Sequence, residues 1–156
     1  RIKSLREYSS RLDLVGEGKL NDFSLPKILI QNLAYRIVAT YDEKNIPSET
    51  LNILRVKKKI DYKFLLAILN SDLMDFYFKY TITNKASLNI HLDKPYLGEL
   101  PIKKGSKREE KDIISMVNKL LERGGDDPKI LEDINQKIYE IYDLNNKETA
   151  QIKRLL

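Results

Sequence analysis

The 156 residues of this chain contain no cysteine, which excludes disulfide frameworks and thiolate metal sites. The single histidine, His91, leaves no imidazole pair for a metal and belongs to no recognisable nucleophile triad. Glycine is scarce, at six residues. The one stretch like a phosphate loop, Gly16-Glu17-Gly18-Lys19, lacks the glycine spacing and the Ser or Thr after its lysine. No apolar run approaches the roughly 18 residues a membrane-spanning helix needs, and no membrane partner is expected. These absences leave no visible catalytic centre, so the chain reads as a binder and not as an enzyme in its own right.

Charge is plentiful and unevenly placed. The formal net charge is +5. Residues 1–108 carry 20 Lys and Arg against 12 Asp and Glu, whereas residues 109–156 carry 8 against 11. A basic body joined to a slightly acidic tail points to different partners for the two parts, with a phosphate backbone as the natural partner of the body. A lysine-rich composition alone would give such values too. The expected division is a body over 1–106 and a helical extension over 107–156. The chain opens on Arg1, as expected of a piece of a longer protein, and a cytoplasmic setting is expected.

The fold class expected is α+β: a small mixed β-sheet body with packed helices, then a C-terminal helical hairpin. Residues 1–14 have poor periodicity and read as a helix or a connector. Strands are expected at Lys27 to Ile30, Ala34 to Tyr41 and Thr50 to Val56, from their apolar content and partial alternation. Asp61 is placed to cap a helix through Phe64, Leu65, Ile68 and Leu69. Asn70-Ser71 then marks a break, with Ser71 capping the next helix. Phe76, Tyr77 and Phe78 are expected in the core and not as a base-stacking platform. The closing strand-like piece ends at Pro101-Ile102.

The tail is clearly punctuated. One apolar stripe over Ile113, Met116, Val117, Leu120 and Leu121 stops at Gly124-Gly125. Asp127 caps a helix that has Pro128 at its first position. Asn145 and Glu148 form a capping-box pattern for a last short helix.

Residues suited to a duplex cluster in the polar stretches. Lys27, Arg36, Lys57, Lys58, Lys59, Lys85 and Lys94 are of the type that neutralises phosphates. Gln31, Asn32, Arg36, Asn84 and Asn89 carry the donor and acceptor geometry that purine edges require, and Ser87 and His91 lie in the same polar run. Thr81 to Leu92 is the candidate recognition loop, because polar loops on a rigid scaffold often carry binding. Each residue alone is an ordinary surface group, and only their concentration argues for DNA. Asp93-Lys94-Pro95-Tyr96 is reminiscent of the turn with which amino-group methyltransferases hold a flipped base. Lys94 replaces its first proline, and no glycine-rich cofactor loop precedes it. Glu109-Glu110 and Asp126-Asp127 sit near helix starts, where carboxylates complement the helix dipole.

Four segments together resemble a known family: Lys27-Ile28-Leu29-Ile30, Ile37-Val38-Ala39-Thr40-Tyr41-Asp42, Leu65-Leu66-Ala67-Ile68-Leu69-Asn70-Ser71 and Tyr96-Leu97-Gly98-Glu99-Leu100-Pro101-Ile102. They are similar to the TaqI-like C-terminal specificity domain, the target-recognition part of N6-adenine DNA methyltransferases, including fused restriction-modification enzymes. The stretch Ile134 to Leu144, with Glu148, is similar to the helical ending of that group. The resemblance implies double-stranded DNA as one partner. The other is a catalytic methyltransferase domain of the same polypeptide, with or without a fused nuclease. No cofactor is expected in this chain, and S-adenosylmethionine is expected in that catalytic domain. The alternative from another class is a protein–protein interaction module with a helical docking tail.

Overall fold

The computed structural model describes residues 2–14, 25–45, 51–57, 59–82, 90–92 and 94–156. The fold is α+β, and every strand pair among the described residues is antiparallel. A four-stranded sheet has the order β2 (Ser9–Leu14), β6 (Leu51–Val56), β3 (Lys27–Gln31), β5 (Ala39–Asp42). Two ribbons accompany it. In one, β1 (Ile2–Ser4) pairs with β8 (Pro101–Lys103). In the other, β4 (Leu33–Ala34) pairs with β7 (Ile90–His91).

Residues 1–14 depart from expectation. Only a four-residue turn, α1 (Leu5–Tyr8), is helical. Ser9–Leu14 instead pairs along β6 as an outer strand, a contact between distant segments that no local period announces. The strand expected from Ala34 to Tyr41 is also broken. Its ends are β4 and β5, and between them the buried Ile37 faces the core while Tyr35, Arg36 and Val38 stand exposed.

Helix α2 (Tyr62–Leu69) is the axis of the molecule. Six consecutive residues, Phe64 to Leu69, are buried, because β3 and β5 cover one side of the helix and α5 (Lys107–Glu122) the other. A helix apolar all round has to lie between two layers. Each large side chain buried there contributes roughly 1.5–3 kcal/mol. Asp61 starts the helix, its Oδ1 accepting from the N–H groups of Lys63 and Phe64 at 2.7 and 3.3 Å. The break at Asn70-Ser71 is where expected. Ser71 Oγ accepts from Met74 N at 3.2 Å and opens α3 (Asp72–Tyr77), which runs into a π-helical turn at Phe78–Ile82. Phe78 is fully buried, and Phe76 and Tyr77 are half-buried.

A short helix, α4 (Lys94–Gly98), precedes β8. The tail then adds α5, α6 (Pro128–Ile141) and α7 (Asn146–Leu155). Ser106 and Glu109 form a capping box on α5, and Asn145 and Glu148 form one on α7. Gly124 and Gly125, both with positive φ, close α5. Gly125 N donates to Leu120 O and Gly124 N to Leu121 O, a geometry that left-handed glycines supply at little cost. Ile113, Val117, Ile134, Ile138 and Ile141 join the body's own buried cluster, so one core runs from the sheet through α2 into the tail.

Candidate nucleic-acid interface

The order of the sheet decides which candidate residues meet. Strand β3 ends at Gln31, and its partner β6 begins at Leu51 beside it. Just beyond Gln31 the chain turns out of the sheet, and Gln31 N donates to Val38 O at 2.9 Å as it returns. The β4–β7 ribbon caps this excursion, with Leu33 opposite His91 and Leu92 N donating to Asn32 O at 2.6 Å. From below, buried Asn52 holds the ribbon by donating its Nδ2 to Leu92 O at 2.8 Å. Gln31, Asn32, Arg36 and His91 therefore lie at one end of the sheet. Gln31, Arg36 and His91 are exposed and Asn32 is half-buried.

That end carries apolar groups as well. Tyr35 is 68% exposed, and Leu33 and Val38 are also open to solvent. Tyr35 falls within the strand expected from Ala34 to Tyr41, and it lies instead in the break between β4 and β5. Arg36 has no ion-pair partner among the described residues. It lies within electrostatic reach of Asp75.

Lys57 and Lys59 are at the opposite end. Six residues of extended β6 separate Leu51 from Lys57, roughly 20 Å at strand rise. Both lysines are exposed, and Lys57 N donates to Tyr8 O at 2.8 Å, tying this corner to α1. Lys104 joins them by donating its Nζ to Lys59 O at 2.6 Å. Lys94 is half-buried in the first turn of α4. Lys58, Asn84, Lys85, Ser87 and Asn89 lie outside the described residues.

Lys27 requires correction. Its side chain is fully buried, and its ammonium sits 2.5 Å from Asp42 Oδ2 across the β3–β5 pair. A lysine sealed under the sheet and bound to a carboxylate is not offered to a phosphate. Burial alone would raise Asp42, but hydrogen bonds from Lys27 and Asn45 outweigh it and hold the carboxyl below its usual range.

Helices α2 and α3 support the exposed end from behind. Asn70 Oδ1 accepts from Ala39 N and its Nδ2 donates to Ala39 O, each at 2.9 Å. Asp75 Oδ1 accepts from Ile37 N at 3.1 Å. Burial pushes the Asp75 carboxyl up to about 6, against the lowering effects of the Ile37 N–H and Arg36. A cleft of about 430 Å3 lies between residues 36–40 and the tail, with Asn70, Asp75 and Asn135 in its wall. Among the described residues no group of three His, Cys, Asp or Glu side chains is placed to hold a metal, and no helix is long and apolar enough to cross a membrane.

A small α+β scaffold that presents an exposed polar and apolar edge, stiffened from behind by buried helices, has the build of a recognition module. Residues 6–102 match the TaqI-like C-terminal specificity domain, and the chain belongs to that family. It is thus a DNA-recognition specificity domain of the restriction-modification type, and such a domain is non-catalytic in itself. The match ends at Ile102, so α5, α6 and α7 lie beyond it. No curated protein matches the chain.

Proposed function

We propose that this chain reads the target site for an adenine-N6 DNA methyltransferase, holding duplex DNA against a catalytic domain located elsewhere in the same polypeptide. S-adenosylmethionine would bind in that catalytic domain, and the setting would be cytoplasmic. The observation that carries the reading is the β4–β7 ribbon, which gathers Gln31, Asn32, Arg36 and His91 at one end of the sheet inside a matched specificity domain.

The chemistry divides between the two ends. At the ribbon, Arg36 suits the O6 and N7 acceptors of guanine, Gln31 suits adenine, and exposed Leu33 and Tyr35 offer apolar contact to a thymine methyl. The Oδ1 of half-buried Asn32 is sealed from solvent and is not offered to a base. At the other end, Lys57 and Lys59 are simple cations, suited to phosphates and blind to sequence. The ends are roughly 20 Å apart along β6, compared with a major groove about 12 Å wide. A duplex seated with its groove on the ribbon then leaves flanking backbone within reach of the lysines. Lys58, Lys85 and Lys94 belong to the same phosphate set, and Asn84, Asn89 and Ser87 to the base-reading set.

The test is selection of bound sequences from a randomised duplex library at moderate salt. An enriched short motif supports the reading. Equal recovery of all sequences, by this chain and by the full-length parent, overturns it and favours a protein-interaction module.

A further inference from the structure

The matched family accounts for a reading edge but not for what sets its position. On the present reading of function, the residue to place is Arg36, an exposed cation with no ion-pair partner among the described residues. Its neighbours leave it little freedom. Ile37 is buried in the core, and the backbone that follows Arg36, at Ile37 and Ala39, is tied to the helices.

The ties are specific. β5 is an outer strand of the sheet, so Ala39 has a free edge. Asn70 fills that edge as a strand would, accepting from the Ala39 N–H and donating to the Ala39 carbonyl. A side-chain amide supplies a donor and an acceptor side by side without charge. Asn70 also ends α2, so the clamp rises directly from the most buried helix of the fold. Two residues earlier in the excursion, Asp75 of α3 accepts from Ile37 N. The tail steadies α3 in turn. Asn135 of α6 is buried, and its Oδ1 accepts from Asp72 N at 3.0 Å at the start of that helix.

We propose that Asn70 and Asp75 are specificity-determining positioning residues: without touching DNA, they fix the backbone at Ile37 and Ala39 and so set where Arg36 meets a base. Loss of either tie lets the excursion move while the lysine corner at the other end of β6 stays in place. The signature is therefore a loss of discrimination with total duplex binding retained.

The experiment compares the whole chain with its Asn70→Ala, Asp75→Ala and Asp75→Asn variants, each checked for native circular dichroism, against the same randomised duplex library. The unsubstituted chain is expected to enrich a motif. Asn70→Ala and Asp75→Ala are expected to lose about tenfold discrimination at one position, the size of one good base contact, with non-specific binding changed less than about twofold. Asp75→Asn keeps the acceptor for Ile37 N and is expected to recover the discrimination. Amide hydrogen exchange on the same proteins gives a second readout, with faster exchange expected at Ala39 in Asn70→Ala and at Ile37 in Asp75→Ala. A motif unchanged in both alanine variants, or affinity falling equally for every sequence, overturns the positioning role and leaves the DNA reading standing. No motif from the unsubstituted chain removes the DNA reading and this inference with it.

Discussion

Strand β5 has a carboxylate near each end, and the two are held in opposite ways. At the far end Asp42 is closed in by Lys27 and by two hydrogen bonds from Asn45, which keep it ionised well into acid. At the reading end Asp75 accepts one main-chain N–H, with Arg36 nearby, and burial pushes it up to about 6. The difference separates a scaffold from a working edge. One end compensates its buried charge with a fixed counter-ion. The other leaves a carboxyl partly uncompensated, beside the exposed Arg36 that the proposed function assigns to base contact.

The largest effect is expected from opening the closed end. Lys27→Ala strands Asp42 beneath the sheet with only its Asn45 bonds. Breaking a buried pair from one side costs about 3 kcal/mol or more. For a chain of this length that is about 6–12 °C in Tm. Thermal melts measure it, and the sequence preference of the folded fraction should not change. The sign with pH follows from the lowered Asp42 carboxyl. The pair's contribution is fully present above the unfolded value near 3.8 and disappears as pH falls through the folded value. A variant that melts normally but binds all duplexes less well would return Lys27 to the phosphate set and erase the contrast.

The next effect comes from the reading end and has the opposite sign. Because Asp75 is raised from 3.8 to about 6, the folded state binds its proton more tightly than the unfolded chain does. Its cost is absent below the unfolded value, grows between about pH 4 and 6, and is complete above that range. Asp75→Asn keeps an oxygen for Ile37 N and removes the charge. It should stabilise the protein at pH 7.5 by about 2 kcal/mol, less than the full shift would give because the carboxyl keeps some solvent. At pH 4 the gain should vanish. Urea unfolding at the two pH values checks this, and Asp72 and Arg36 are the charged neighbours that would modify it. An equal gain at both values would mean that Asp75 is not titrating in this range.

The tail was legible from sequence because its signals are local. Asp127 with Pro128, Gly124-Gly125 and Asn145 with Glu148 each act within one turn, and all stand where their spacing placed them. Ser71 and Asp61 were legible for the same reason. The working edge was not. Asn70 meets Ala39 across 31 residues and Asp75 meets Ile37 across 38, and no window short enough to show a period contains either pair. Lys27 was read as a surface cation because its type usually is one. Its burial follows from a cross-strand register with Asp42 that only the pairing of β3 with β5 reveals. Tyr35 stands exposed in the break between β4 and β5, which no local period marks. Part of the sheet and its central helix were thus readable from pattern, and the family from the resemblance of four segments, while the outer strand Ser9–Leu14 and the division of labour between the ends required the tertiary register.

The smallest effect should come from the lysine corner, and it tests whether the two ends differ in kind. Lys57 and Lys59 are exposed cations just beyond the end of β6. A phosphate contact is non-specific and works through counterion release. Each Lys→Ala change should therefore weaken every duplex by a few-fold and reduce the slope of log affinity against log salt by about 0.9. The order of preferred sequences should be untouched. The measurement is a salt titration of binding to the selected motif and to a scrambled duplex, with the two curves expected to shift together. If Lys57→Ala or Lys59→Ala instead narrowed the gap between motif and scramble, both ends would be reading sequence. The lysine corner would then belong to the recognition edge and not to the scaffold.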